Sequence, residues 1–466
     1  MNKIKHLFSK ADNLFLIICL ISGGIFIFIT PLLWGFDEIA HFNRVYQISE
    51  GNYLPSNYNG SQNGFIPKNL YELNFLVYAD LMDNNNHSRH IDNIKNYSIL
   101  GSNFFSKEYY TAPISTSYSV VAYFGPVISL YISKIINLNI ADTIYFARFA
   151  SLAVYMVLVW LAIKYQRYEK LKWLLFVVAL MPVSIFQASM VTVDGIAIAL
   201  SVLFISLLLN IIDGKPNKLI SKKYLLIISL VGVMLPLAKF NYIFLTFGLI
   251  LIPKAKFASA KISYIYKTVS ILVAVIISGL WTFITKPTRA IDMSPRPDGL
   301  MVSPPDQLNY ILTNPIDYTL TFIKTIIYNG NTYYSDIFSL LGWNYVRLPA
   351  LITALLSILI FIAVINTKSL VNRTKNKILM LNIFIFAGIA SIFAILYIAF
   401  TPVSSSIVDG VQGRYFIPFL LPILLLIALF IPIKLEIGHN KSALFFGLTI
   451  SAVLIISILN YYKVTY

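Results

Sequence analysis

Charge is what this chain has least of. Only 12% of its 466 residues are Asp, Glu, Lys or Arg, while 58% are hydrophobic; a soluble domain carries about 25% charged residues. Long apolar runs take their place, several close to the ~20 residues that cross a bilayer core, and the mean hydropathy is +0.74. Acidic residues are the scarcer sign, 20 against 36 Lys and Arg, for a net charge of +16. A nucleic-acid partner is not expected from that excess, because the cations collect in short hydrophilic loops between apolar runs, the pattern that encodes membrane topology. Cysteine is nearly absent. The single Cys19 lies inside the first apolar run, which excludes a disulfide framework and a Cys-based metal site. P-loop, dinucleotide and nucleophile-elbow motifs are missing, as are internal repeats, low-complexity tracts and a cytoplasmic domain. His87 and His90 stand in an Asn-rich stretch, Asn84 to Asn86 beside them, with no Cys or carboxylate at ligand spacing. They read as a solvated loop, and no metal and no cofactor are expected.

Aromatics, by contrast, are abundant: 33 Phe and 30 Tyr, suited to interfacial belts and to a site that handles amphipathic substrates. The expected fold is an all-α polytopic membrane protein, one integral-membrane domain over residues 1–466. Its spans fall at 14–33, 143–163, 171–188, 194–212, 223–237, 240–252, 267–286, 346–365, 377–400, 413–432 and 442–460, about 11 in all. The first run is too long for a signal peptide and lacks a small-x-small cleavage site, so it reads as a retained span. With Lys3, Lys5 and Lys10 in the cytoplasm, the basic loops 164–170, 213–222, 253–266, 366–376 and 433–441 all fall inside. The long segments 34–142 and 287–345 fall outside and are far less basic for their length.

Two stretches need separate arguments. Counting 114–136 as a span would place the basic loop 164–172 outside, so it is expected in the outer interface. One helix over 223–253 would be about 45 Å long at 1.5 Å per residue, too long for a ~30 Å core. A hairpin of two short helices turning near Pro236 to Tyr242 fits better. The location expected is a bacterial cytoplasmic membrane.

Ionisable residues at the ends of spans mark candidate sites. Asp37, Glu38, Arg148, Asp194, Lys239, Asp409 and Arg414 all fall at outer ends. After the first span, a helix starting at Asp37 would put Asp37, His41 and Arg44 on one face, with Glu38 about 100° round. Simple capping is the competing reading of Asp37 and Asp194; a snorkelling interfacial lysine is that of Lys239, and pairing with Asp409 is that of Arg414. Gln187, Trp343, Gln412 and Tyr415 complete the candidates, in the stretches Pro182–Gly195, Gly342–Trp343 and Asp409–Pro418.

This set suits glycosyl transfer from a lipid phosphate. A carboxylate accepts the acceptor's hydroxyl proton, and cations meet the charge that develops on the departing phosphate. Asp37, with its neighbour Glu38, is the catalytic candidate; Arg414, Lys239 and Arg148 are the phosphate candidates.

The segment Phe36-Asp37-Glu38-Ile-Ala-His41-Phe42 resembles the first-external-loop motif of the C-type (GT-C) glycosyltransferases. Ala112-Pro113-Ile114 and Ala147-Arg148-Phe149 resemble that clan too. A closer resemblance, over nearly the whole chain, is to a bacterial membrane family known as domain of unknown function 2142. It rests on Asp37-Glu38-x-x-His41-Phe42-x-Arg44, Asp194, Lys239, Gly342-Trp343 and Gln412-Gly413-Arg414-Tyr415-Phe416-x-Pro418. The resemblance implies a GT-C-like fold with interfacial helices in the first external loop and an acidic base there. It also implies a polyprenyl-phosphate sugar donor and a glycan or lipid-linked acceptor, handled among membrane lipids. Two departures matter. The chain lacks the soluble C-terminal domain of many clan members, and its first loop has no Asp-x-Asp, so a metal-independent, inverting transfer is expected. A lipid-linked glycan polymerase or ligase, or a glycolipid transporter or flippase, remains the alternative.

Overall fold

A computed structural model describes residues 10–54, 63–82, 108–214, 218–285, 294–295, 301–343, 345–433 and 437–466. His87, His90, Asn84 to Asn86, Lys3 and Lys5 lie outside the described residues. In chain order the helices of eight or more residues among the described residues are α1 (Ala11–Ile29), α2 (Glu38–Ser49), α3 (Lys68–Met82), α4 (Phe124–Ile135), α5 (Ile140–Lys164), α6 (Glu169–Ala179), α7 (Pro182–Ser189) and α8 (Val193–Ile212). They continue with α9 (Lys222–Ala238), α10 (Ala260–Thr285), α11 (Pro304–Thr313), α12 (Pro315–Ser339), α13 (Ala350–Asn366), α14 (Lys375–Phe400), α15 (Ile417–Phe430) and α16 (His439–Thr465). Strands form only two-stranded pairs among the described residues.

Each expected span falls on a helical segment, but fewer than eleven have spanning length. Seven helices are long and apolar enough to cross a membrane: α1, α5, α8, α10, α14, the segment Gly413–Phe430 that contains α15, and α16 from Lys441. The pair α6–α7, bent by 64°, would make eight if it is one span. Pro182 opens α7, and Leu180–Met181 breaks the ladder before it. The remaining three expected spans fall on α9, the stretch Phe240–Leu251 and α13. α9 and α13 have 17 residues each, about 26 Å of helix against a ~30 Å core.

The hairpin near Pro236 to Tyr242 is present. α9 stops at Ala238, Lys239 is extended (φ −156°, ψ 118°), and a 3-10 turn over Phe240–Tyr242 reverses the chain. Thr246 Oγ1 then donates to Gly232 O across the two arms at 2.6 Å.

Loops expected on one side meet at one end of the bundle. Asn210 Nδ2 donates to Tyr165 O, Lys256 Nζ to Gly214 O, Lys368 Nζ to Ala428 O, and Arg373 pairs with Asp213. The opposite end joins different segments: Ser119 Oγ donates to Leu237 O, Trp281 Nε1 to Ser117 O, and Ser404 N to Gln307 Oε1. At that second end β1 (Asn63–Pro67) pairs antiparallel with β2 (Tyr109–Pro113), and Asn43 Nδ2 donates to Pro113 O to hold the pair against α2. The expected interfacial run 114–136 forms a 3-10 turn, Val120–Tyr123, and α4. One face of α4 packs on α2 and α5; the other leaves Phe124, Ile128, Ile132 and Ile135 exposed as an apolar stripe.

Candidate functional site

The adjacent carboxylates Asp37 and Glu38 have opposite surroundings. Glu38 is fully buried. Its Oε1 accepts from Arg148 Nε (2.8 Å) and from Val191 N (3.0 Å), and its Oε2 from Arg148 Nη2 (2.6 Å) and from Gly35 N (2.9 Å). Arg148, also fully buried, donates further to the carbonyls of Ile27, Thr30 and Pro31. Every guanidinium N–H is therefore occupied, and a phosphate would find no free donor there. The phosphate role expected of Arg148 does not fit this geometry, nor does a catalytic role for Glu38. The pair instead staples the end of α1, the turn 31–37, α5 and the Met190–Val191 connection into one unit. Gly35 permits the closure, since a Cβ there would lie 2.9 Å from Met190 Cβ.

That staple presents Asp37. It caps α2 by position, yet its side chain makes no capping bond, and its backbone is left-handed (φ 54°, ψ 16°), a conformation Asp and Asn tolerate better than most residues. Its carboxylate is 51% exposed and sits 3.0 Å from Arg414 Nη2. Arg414 lies almost buried on the 3-10 turn Gly413–Phe416, its guanidinium 3.9 Å above the Phe36 ring. Its Nε is 3.5 Å from Asp194 Oδ2, beyond good hydrogen-bond geometry, and has no hydrogen-bond partner among the described residues. Asp194 in turn accepts from Lys239 Nζ at 2.9 Å, and Lys239 stands 4.0 Å over the Tyr415 ring. Asp37, Arg414, Asp194 and Lys239 thus form a chain of alternating charge drawn from four separate segments.

His41 joins from one turn along α2. Its Nδ1 is 2.7 Å from Tyr123 Oη, and its ring centroid is 5.3 Å from that of Tyr118. Burial pushes the imidazole down to about 4, against the upward pull of Asp37 and Asp194. It is neutral at physiological pH and shares a hydrogen bond with the Tyr123 phenol, which burial holds well above its ordinary range.

Two cavities meet this chain. One, of about 390 Å³, has Lys239, Tyr415, Tyr118 and Ser117 on its polar side. The ends of α10 and α14 form its apolar side with Thr282, Thr285, Ile392, Ile395 and Leu396. Ile395 and Phe240 are themselves about 41% exposed, so that side is open between helices. The other cavity, of about 410 Å³, is lined by Asp37, Glu38, Asn74, Trp343 and the aromatic face of α3.

Of the sequence candidates, Asp37, His41, Asp194, Lys239, Arg414, Tyr415 and Trp343 come together at this site. Others do not. Arg44 turns to the carbonyls of Asn52 and Tyr53 (3.0 and 2.5 Å). Those carbonyls follow the end of α2, so the guanidinium is committed there, although Arg44 keeps its place three residues from His41 on the same helical face. Gln187 is buried beside Thr192 and Gly195, away from both cavities. Gln412 only precedes the turn that carries Arg414. The Asp409 backbone N–H donates to Thr401 Oγ1, and Arg414 pairs with Asp37 and Asp194 rather than with Asp409. Sequence reasoning missed Tyr118, Tyr123, Asn74 and the rings of α3. The α3 rings carried a readable signal, Tyr71, Phe75 and Tyr78 at i, i+4 and i+7.

A family model described as "Predicted membrane protein (DUF2142)" matches residues 20–424. No curated protein and no solved structure matches the chain.

Proposed function

We propose, for a chain that belongs to the DUF2142 family of predicted membrane proteins, that it is a glycosyltransferase working at the outer face of a bacterial cytoplasmic membrane. It moves a sugar from a polyprenyl-phosphate donor to a cell-envelope acceptor. One observation carries the reading. A half-exposed carboxylate, Asp37, sits at an open cavity and is tied through Arg414 and Asp194 to Lys239, which faces a second cavity walled by two apolar helix ends.

Each group has a part. The donor's isoprenoid tail stays among α10, α14 and lipid, with its phosphate at Lys239 and Arg414. Lys239 has three N–H bonds and uses one on Asp194; Arg414 adds its charge from behind, its Nε buried against Asp194. The acceptor hydroxyl reaches the sugar's anomeric carbon from the Asp37 side. As the new C–O bond forms, the proton passes to Asp37, and the bond from the anomeric carbon to the phosphate oxygen breaks with its electron pair leaving on the phosphate. The two cations meet that charge where water is excluded. Opposed attack and departure invert the anomeric centre. His41, neutral, positions Tyr123 and Tyr118 beside the cluster and carries no proton in the reaction.

The test is mass-spectrometric composition of the cell-surface glycan in wild type, a deletion strain, and the deletion carrying Asp37→Asn at equal expression. Loss of one sugar substituent in the deletion, unrestored by Asp37→Asn, supports the reading and names the sugar. Full restoration by Asp37→Asn overturns it.

A further inference from the structure

The cavity that opens at Asp37 has features a proton acceptor alone does not need. Tyr71, Phe75 and Tyr78 lie on one face of α3, 36%, 68% and 44% exposed. Trp343 faces them from the Leu340–Arg347 hairpin, its ring centroid 5.7 Å from that of Tyr78 at an interplanar angle of 52°. Tyr71 stacks on Tyr110 of β2 at 5.1 Å and 21°, which holds its ring in place. One polar side chain stands among these rings. Asn74 is 7% exposed, and its Nδ2 donates to Asn43 Oδ1 at 2.8 Å while Asn43 Nδ2 donates to Pro113 O. That relay fixes the Asn74 amide, and leaves its Oδ1 without a partner among the described residues. That oxygen is sealed from the cavity, so the Asn74 amide braces α3 against α2 and β2 and holds the rings in place.

We infer that this cavity is a saccharide-binding subsite for the acceptor, with Tyr71, Phe75, Tyr78 and Trp343 as stacking walls and the half-exposed Asp37 carboxylate accepting from a sugar hydroxyl. Aromatic faces are electron-rich and attract the polarised C–H face of a sugar ring, while hydroxyls need a few fixed polar partners. The volume, about 410 Å³, lies in the range of small-molecule sites, roughly 300–1,000 Å³. Exposed aromatic rings at a membrane surface also serve as interfacial anchors. Anchors face lipid, whereas these rings converge on a cavity that contains a carboxylate and an amide. The acceptor assignment rests on the transferase reading; saccharide binding itself does not.

The experiment uses the full chain in lipid nanodiscs, probed against a printed array of bacterial surface glycans. Wild type and the double variant Phe75→Ala/Tyr78→Ala are compared. Wild type is expected to retain a set of glycans, and the double variant to lose at least tenfold in apparent affinity for them. Its melting temperature is measured alongside, which separates loss of binding from loss of the Tyr78–Trp343 ring contact. No glycan retained, or retention indifferent to the double variant, overturns the subsite. Loss of affinity for protein-free lipid vesicles in place of glycan affinity also overturns it, in favour of an anchor. If binding needs the rings while Asp37→Asn still restores the surface sugar in cells, the subsite stands and the transferase reading falls.

Discussion

Asp37 and Glu38 differ by one position and by everything that surrounds them. A carboxylate with four donors and no solvent cannot pick up a substrate proton without breaking a buried ion pair, so Glu38 is structural. Glu38→Gln should leave Arg148 charged and poorly matched in the interior, at a cost of about 3–5 kcal/mol. A large fall in melting temperature of the detergent-solubilised protein is the expected reading. Asp37→Asn should do the reverse. Asn accepts the left-handed backbone (φ 54°), so stability holds, while removal of a general base lowers transfer by about 10²–10⁴-fold. His41 adds a pH signature. Its folded value of about 4 lies below the ordinary 6.5, so the unfolded chain binds a proton between those values and the folded chain does not. Its stabilisation is therefore complete above pH 6.5 and is lost as pH falls toward 4, by roughly 3 kcal/mol. Melting measured from pH 7 to 4.5 should decline less steeply in His41→Phe than in wild type. Sequence alone could flag the acidic pair, but not divide it: three of the four donors to Glu38 come from α5 and the Met190–Val191 connection, more than a hundred residues away.

At the scale of elements, apolar runs located the helices well and their lengths poorly. Hydropathy marks where a helix forms, yet Lys239 ends α9 short of a full span, and the α6–α7 break depends on local backbone geometry that composition does not encode. The motif around Arg414 was legible as a string; its partner was not, because Asp37 lies 377 positions away. What brings Arg414 there is a close approach between elements. A Cβ on Gly413 would meet Tyr333 O at 2.4 Å and Asp336 Cβ at 2.6 Å, so α12 presses directly on the turn. Backbone there cannot yield as a flexible side chain would. Gly413→Ala should therefore destabilise by about 1–3 kcal/mol and move Arg414 from Asp37. Surface-sugar content in the complemented deletion is expected to fall well below wild type, even at equal protein level.

Over the whole molecule, charge and chemistry separate. The lysines and arginines of the short loops gather at one end of the bundle, and the Asp37–Arg414–Asp194–Lys239 chain lies at the other. Positive loops are retained in the cytoplasm, so the orientation proposed puts the site outside. There a nucleotide sugar is not at hand, which favours the lipid-borne donor proposed. This orientation is directly testable, since the single cysteine, Cys19, is buried in α1 and gives little background labelling. Thr313→Cys on α11 and Asn376→Cys at the start of α14 are exposed positions toward opposite ends. A membrane-impermeant maleimide should label Thr313→Cys in intact cells and Asn376→Cys only after permeabilisation. The opposite pattern would turn Asp37 toward the cytoplasm, where a soluble nucleotide sugar could serve as donor. The case for a polyprenyl-phosphate donor at the outer face would then fail, even with every contact in the site unchanged.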